Sequence, residues 1–306
     1  MQTIAYYIII TLLRAIALLP LRALYVVSDA LCPLVHHVLK YKVACVRKNL
    51  RNAFPEKSAE ELKDIENKFY HHLCDCIVES VKILHISEEE MKRRVVMNNV
   101  NLIDQATAKG QSVFLLLAHL GNWEWMQEIS IRMTPVDVGG EIYRPLKSKV
   151  FGRAMETIRS RYPTQLIAQK EAARTLIKLY REHKVTVIGF ISDQRPTRNS
   201  LHHWTTFLHQ DTPYMVGAEQ IGRHIHAKFV YFEVTKPRRG HYVVNIIDLN
   251  HSEEEIQKAA KEGRFPYMED YYRLLEKNIC MDPAIWLWSH NRWKHQRNQE
   301  NNNKTE

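Results

Sequence analysis

The sequence predicts an α/β protein: a largely parallel central sheet flanked by helices, with a membrane-associated N-terminal helix. Three observations carry this. The run 113–117 is continuously apolar and 185–191 nearly so, rather than alternating, as in strands buried on both faces. Helical patterns separate these runs from the other strand candidates, the order expected of a parallel sheet with crossover helices. Residues 4–39 are unusually apolar, reading IAYYIIITLL, AIALLPL and LYVV.

A chain of 306 residues, 45% apolar and 25% charged, has the composition of a folded globular protein rather than a disordered one. Its formal charge of +9 favours an anionic partner, for which nucleic acid, an acidic membrane surface and an acidic carrier protein all qualify. The five cysteines, Cys32, Cys45, Cys74, Cys76 and Cys280, are odd in number and scattered. They form no disulfide framework, which fits a reducing compartment.

Taken in order, the N-terminal stretch is interrupted by Arg14, Arg22 and Asp29, and Pro20 breaks any helix there. No uninterrupted apolar run reaches the roughly 18 residues of a spanning helix. Thr3, Tyr7, Thr11 and Arg14 make a thin polar stripe, suited to a helix in the membrane interface or one spanning with Arg14 snorkelling. Lys40, Lys42, Arg47, Lys48 and Arg51 follow it, so a spanning segment would leave the main domain in the cytoplasm. Ser58 with Glu61 makes a capping box opening a helix to about residue 84, and Ser87 with Glu90 opens a shorter one. A helix over 101–109 ends at Gly110. After the strand at 113–117, Asn122 opens a helix with Trp123, Met126, Ile129 and Met133 spaced three and four apart. Strands follow at 136–143, 165–168 and 185–191, with helices at 148–161 and 171–183. A strand at 204–208, a helix at 214–224, a hairpin of 226–235 with 241–247, and helices at 253–261 and 267–280 complete the pattern. Residues 296–306 are polar and expected to be disordered. The organisation is therefore an anchor at 1–39, one main domain at 40–295 and a tail at 296–306.

His119, Arg144 and Asp193 each stand just past the carboxyl end of a different predicted strand, where open α/β sheets bind their ligands. Glu124 falls in the first turn of the helix that follows His119. Along one helix, residues five apart point about 140° away from each other, but a strand-to-helix turn can bring the two together. The chemistry that fits is a general-base pair: the imidazole takes a proton from a hydroxyl while the carboxylate holds its other N–H, worth about 10²–10⁴ in rate. Asn122 is explained by helix capping alone. No nucleophile elbow, P-loop or HExxH motif is present, which argues for direct attack by an acceptor hydroxyl. No metal site is expected: HHLCDC lies in a helix that scatters its side chains, and His224 and His226 have no partner at metal spacing.

AHLGNWEW, IYRP, ISDQ and WLWSHNRWK occur in the order of, and resemble, four motifs of the lauroyl/myristoyl acyltransferase family of lipid A biosynthesis, within the lysophospholipid acyltransferase superfamily. In TTFLHQDTP, His209 replaces the family's usual glycine, which is similar to the Bacteroidetes-type variant. The resemblance implies transfer of a fatty acyl chain from acyl carrier protein to a hydroxyl of an anionic glycolipid, a lipid A precursor. It implies that the reaction takes place at the cytoplasmic face of the inner membrane, with no metal, bound cofactor or nucleic acid. It implies that His119 is the base, oriented by Glu124. Arg144 would stabilise the oxyanion, worth roughly 3 kcal/mol, or clamp a phosphate. Asp193 would orient Arg144 or bond the acceptor. Asn122, Trp123, Gln194, Phe207, His290 and Arg292 are the implied substrate-binding residues, with packing an equal reading for the last two. Two rivals stand: an acyltransferase using a lysophospholipid, aminolipid or polyene, and a non-catalytic basic protein that binds membranes or nucleic acid.

Overall fold

Every residue of VFLLL at Val113–Leu117 is buried, and this strand lies in the middle of a seven-stranded sheet. The strands in chain order are β1 (Val95–Asn98), β2 (Val113–Leu117), β3 (Val138–Tyr143), β4 (Gln165–Ala168), β5 (Thr186–Ile191), β6 (His203–Phe207), β7 (Gln210–Tyr214), β8 (Lys228–Arg238) and β9 (His241–Leu249). The sheet runs β1-β9-β8-β2-β5-β3-β4, and β6 pairs with β7 in a separate hairpin. All neighbours in the large sheet are parallel except β8 and β9, the predicted hairpin. The structure is a computed structural model that describes residues 2–295 and 297. The predicted tail lies outside the described residues, Arg297 apart.

Strand register brings two chain exits together at the middle of the sheet. β2 and β5 pair in parallel with Leu117 opposite Ile191, so the next residues of each strand leave the sheet side by side. His119 and Asp193 are each two positions beyond that last pair.

The Ser58 capping box forms, and Ser87 accepts the Glu90 backbone N–H. Ser148 and Ser252 likewise cap the helices Lys149–Arg159 and Glu253–Lys261. Two strands were not predicted. β1 is four residues long and follows a helix directly, and β7 contains Asp211 and Pro213, which read as turn residues. Pro213 fits because a two-stranded hairpin offers an edge on which its missing N–H costs no ladder bond. The predicted helix at 214–224 accordingly begins only at Gly217. The segment after Asn122 is a 3₁₀-helix, Trp123–Ile131, rather than an α-helix. Trp123, Met126 and Ile129 recur every three residues, the period that a 3₁₀-helix aligns on one side.

Pro20 separates two N-terminal helices, Gln2–Ala17 and Leu21–Pro33. Among the described residues no single helix is long and apolar enough to cross a membrane; the first helix and 21–38 pass only together, bent by 117°. The second helix is fastened to the Ala59–Lys82 helix by Tyr25 to Glu79 and Ser28 to Asp75, both at 2.8 Å. Lys82 Nζ donates to the carbonyls of Ala17 and Leu19 at the break. Arg239, at the β8–β9 turn, clasps both Asp29 and Asp75. The first helix buries Tyr6, Ile10 and Ala17 but exposes Ile4, Ile8, Leu12 and Ile16, an i, i+4 row along one side.

Candidate active site

His119 sits two residues past β2, in the turn His119-Leu120-Gly121-Asn122 that leads into the 3₁₀-helix. The C-terminal segment builds this turn. Leu287 N–H donates to the His119 carbonyl at 3.1 Å and Gly121 N–H to the Ile285 carbonyl at 2.9 Å, so 285–287 pairs with 119–121 as a short antiparallel bridge. Gly121 has φ +60°, and a Cβ there would come within 2.9 Å of Val234 and 3.1 Å of Tyr242. Only glycine fits both demands.

Asp193 is the residue that holds the imidazole. Its Oδ1 takes the His119 Nδ1–H at 2.7 Å, and its Oδ2 accepts both the His119 backbone N–H at 3.1 Å and Trp286 Nε1–H at 2.8 Å. Burial would raise this carboxyl, but the neighbouring His119 and the three hydrogen bonds outweigh it and hold it below its ordinary value. Asp193 is therefore ionised and can only accept, which fixes the proton of neutral His119 on Nδ1 and leaves the ring's lone pair on Nε2. That is the tautomer a general base needs. The ring remains reachable: the His119 side chain is 16% exposed, against 3% for Asp193. Gln194 Nε2 lies 3.1 Å from His119 Nε2, and the Trp123 indole meets the imidazole edge-to-face at 5.0 Å.

Glu124, predicted to hold His119, is elsewhere. Its two oxygens take Arg159 Nε–H at 2.9 Å and Nη2–H at 2.7 Å, a bidentate clamp onto the Lys149–Arg159 helix. Glu124, on the 3₁₀-helix, faces the Lys149–Arg159 helix, while the β2–β5 register delivers Asp193 to the ring. Glu141 on β3 also lies 3.4 Å from Arg159. Burial raises the Glu141 carboxyl to about 7, and the nearby Glu124 adds to that against the opposing pull of Arg159.

The remaining predicted residues separate by burial. Asn122 caps the 3₁₀-helix through the Glu124 N–H and donates to Glu79 at 2.9 Å. Glu79 is fully buried and also accepts from Tyr25 and Tyr242. Arg144, past β3, is exposed and has no hydrogen bond or ion pair among the described residues, so it is not joined to Asp193. Phe207 is completely buried, edge-to-face against Trp286 and Tyr272, and it supports Trp286 rather than lining an opening. Arg292 is also completely buried. It donates to the Pro213 carbonyl and to Tyr272, whose hydroxyl reaches the Ser192 carbonyl. It packs the site from behind and does not meet a headgroup. His290 is half-buried, and burial, reinforced by Arg195, His119 and Arg292 against the pull of Asp193, lowers it to about 4. It is neutral near pH 7 and so supplies no charge for a phosphate.

Sequence reasoning missed Trp286, Arg159 and Glu79. WLWSHNRWK drew attention to its charged members, although the indole donors are what the buried carboxylate needs. A cavity of about 320 Å³ lies over β3 and β4, lined by Tyr143, Arg153, Glu156, Thr157, Ser160 and Leu166. None of these belongs to the His119 cluster.

Residues 1–295 match the bacterial lipid A biosynthesis acyltransferase family. The chain belongs to that family. No curated protein sequence matches it. The acyltransferase thus places His119 just past the carboxyl end of the central strand, with a buried carboxylate from the adjacent strand end on its Nδ1.

Proposed function

We propose that this acyltransferase moves a fatty acyl group from the thioester of acyl carrier protein to a hydroxyl of a lipid A precursor, at the cytoplasmic face of the inner membrane. His119 Nε2 removes the hydroxyl proton, the oxygen attacks the thioester carbonyl, and the tetrahedral intermediate collapses with loss of the phosphopantetheine thiol. Asp193, rather than Glu124, steadies the imidazolium. The observation that carries the reading is the 2.7 Å contact between His119 Nδ1 and a buried Asp193 at adjacent strand ends, with the imidazole itself partly exposed.

The charge of +9 supports an acidic carrier and an anionic acceptor. The exposed row Ile4, Ile8, Leu12 and Ile16 supports docking at a bilayer. The exposure of Arg144 supports a clamp on a phosphate more than an oxyanion donor, since a solvated guanidinium is screened.

The test is purified protein in mixed micelles with acyl carrier protein bearing a fatty acyl group and a panel of acceptors, the ester product read by mass spectrometry. Product with the lipid A precursor, and a folded but inactive His119→Ala protein, are expected. Product only with a lysophospholipid or aminolipid would reassign the acceptor, and full activity in His119→Ala would remove the mechanism.

A further inference from the structure

Gln194 presents a problem that the base mechanism does not solve. With Nδ1–H committed to Asp193, the only lone pair on the neutral ring is on Nε2, and the Gln194 amide N–H donates into it at 3.1 Å. The group that must take the acceptor's proton is already occupied. An acceptor hydroxyl can reach Nε2 only by displacing this amide, and both its oxygen and the amide nitrogen then lie in the same small space beside the ring.

Resting on the acyl-transfer reading above, we propose that Gln194 is a catalytic residue whose amide caps the resting base and, once displaced, donates to the oxyanion. The two states follow from hydrogen-bond polarity. As the acceptor O–H bond breaks, its proton passes to Nε2 and the oxygen's electron pair forms the new C–O bond. The carbonyl π pair moves onto the carbonyl oxygen. Nε2 is now a donor, so it no longer accepts from the amide N–H. A half-turn of the terminal amide torsion, which is soft and two-fold, brings Oε1 onto the new Nε2–H and sends the NH₂ to the adjacent oxyanion. When the oxyanion collapses, the C–S bond breaks, its pair leaves on sulfur, and Nε2–H returns the proton to give the free thiol. The neutral ring then accepts the amide again. Arg144, exposed and unattached, is not needed for this step.

Gln194 is held for this between two fixed neighbours. Asp193 before it is locked by three donors, and Arg195 after it donates through Nη1 to the Asn291 carbonyl at 2.6 Å. Among the described residues, the side chain itself hydrogen-bonds to His119 alone.

The experiment compares wild type with Gln194→Ala and the isosteric Gln194→Glu in the micelle assay, across pH, after thermal melts confirm folding. Expected is a kcat lower by about 10²–10³, the loss typical of one oxyanion donor, with the acceptor KM unchanged or reduced because nothing has to be displaced. In Gln194→Glu the acid limb of kcat/KM moves up by about one pH unit or more, because a carboxylate now faces the imidazole. The ¹⁵N resonance of His119 Nε2 in resting Gln194→Ala should move toward that of an unbonded lone pair. A kcat equal to wild type in Gln194→Ala, or an unmoved Nε2 resonance, overturns the role while leaving acyl transfer intact. A wild-type protein that makes no ester sinks the underlying reading and this role with it.

Discussion

Asp193 and Glu124 are both buried carboxylates, and they differ in what each one touches. Asp193 meets a ring nitrogen and an indole, whereas Glu124 meets a guanidinium. Asp193→Asn should leave the fold intact and lower kcat by about 10³–10⁴, since an amide no longer dictates the imidazole tautomer; single-turnover acyl transfer measures it. Glu124→Gln should instead lower stability by about 1–3 kcal/mol in denaturant titration, because it leaves the bonding of Arg159 incomplete. A larger activity loss in Glu124→Gln than in Asp193→Asn would reverse these assignments. Glu141 gives a pH prediction. Its folded carboxyl sits at about 7 against an ordinary 4.5, so the folded state binds the proton more tightly. Stability therefore falls as pH rises from 4.5 through 7, and Glu141→Gln should flatten the melting temperature over that window.

At the scale of elements, the turn between β2 and the 3₁₀-helix positions His119, and the C-terminal segment shapes that turn. Gly121→Ala combines a left-handed backbone with a Cβ crowding Val234 and Tyr242. It should cost about 1–3 kcal/mol and shift His119 off its line to Asp193, visible as a lower denaturation midpoint and a lower kcat together. The β6–β7 turn is a second strained place. Leu208 and His209 both have positive φ, at 49° and 60°, as a type I′ hairpin requires. His209 stands where the resembling family has glycine, so His209→Gly should raise the melting temperature slightly.

For the whole molecule, the N-terminal helices are part of the architecture as well as its apolar edge. Tyr25 reaches Glu79, and Glu79 also holds Asn122, so one buried carboxylate ties the apolar helices to the turn that carries His119. Replacing Ile8 and Leu12 with Asp should release the protein from vesicles containing anionic lipid in a sedimentation assay without moving its melting temperature, because both side chains are exposed.

The α/β class, most strands and helices, and the placement of His119 and Asp193 at strand ends were legible in the residues alone. Those features follow from local periodicity, capping residues and the continuous apolar runs of strands covered on both faces. Sequence proximity pointed to Glu124, five residues from His119, as its partner. The tertiary structure chose Asp193, because strand order and register are set by contacts between distant segments and leave no mark on spacing along the chain. The same holds for Trp286 and Arg159, which come to the site from other elements. It also holds for Arg292, whose burial depends on an aromatic cluster assembled from three parts of the chain.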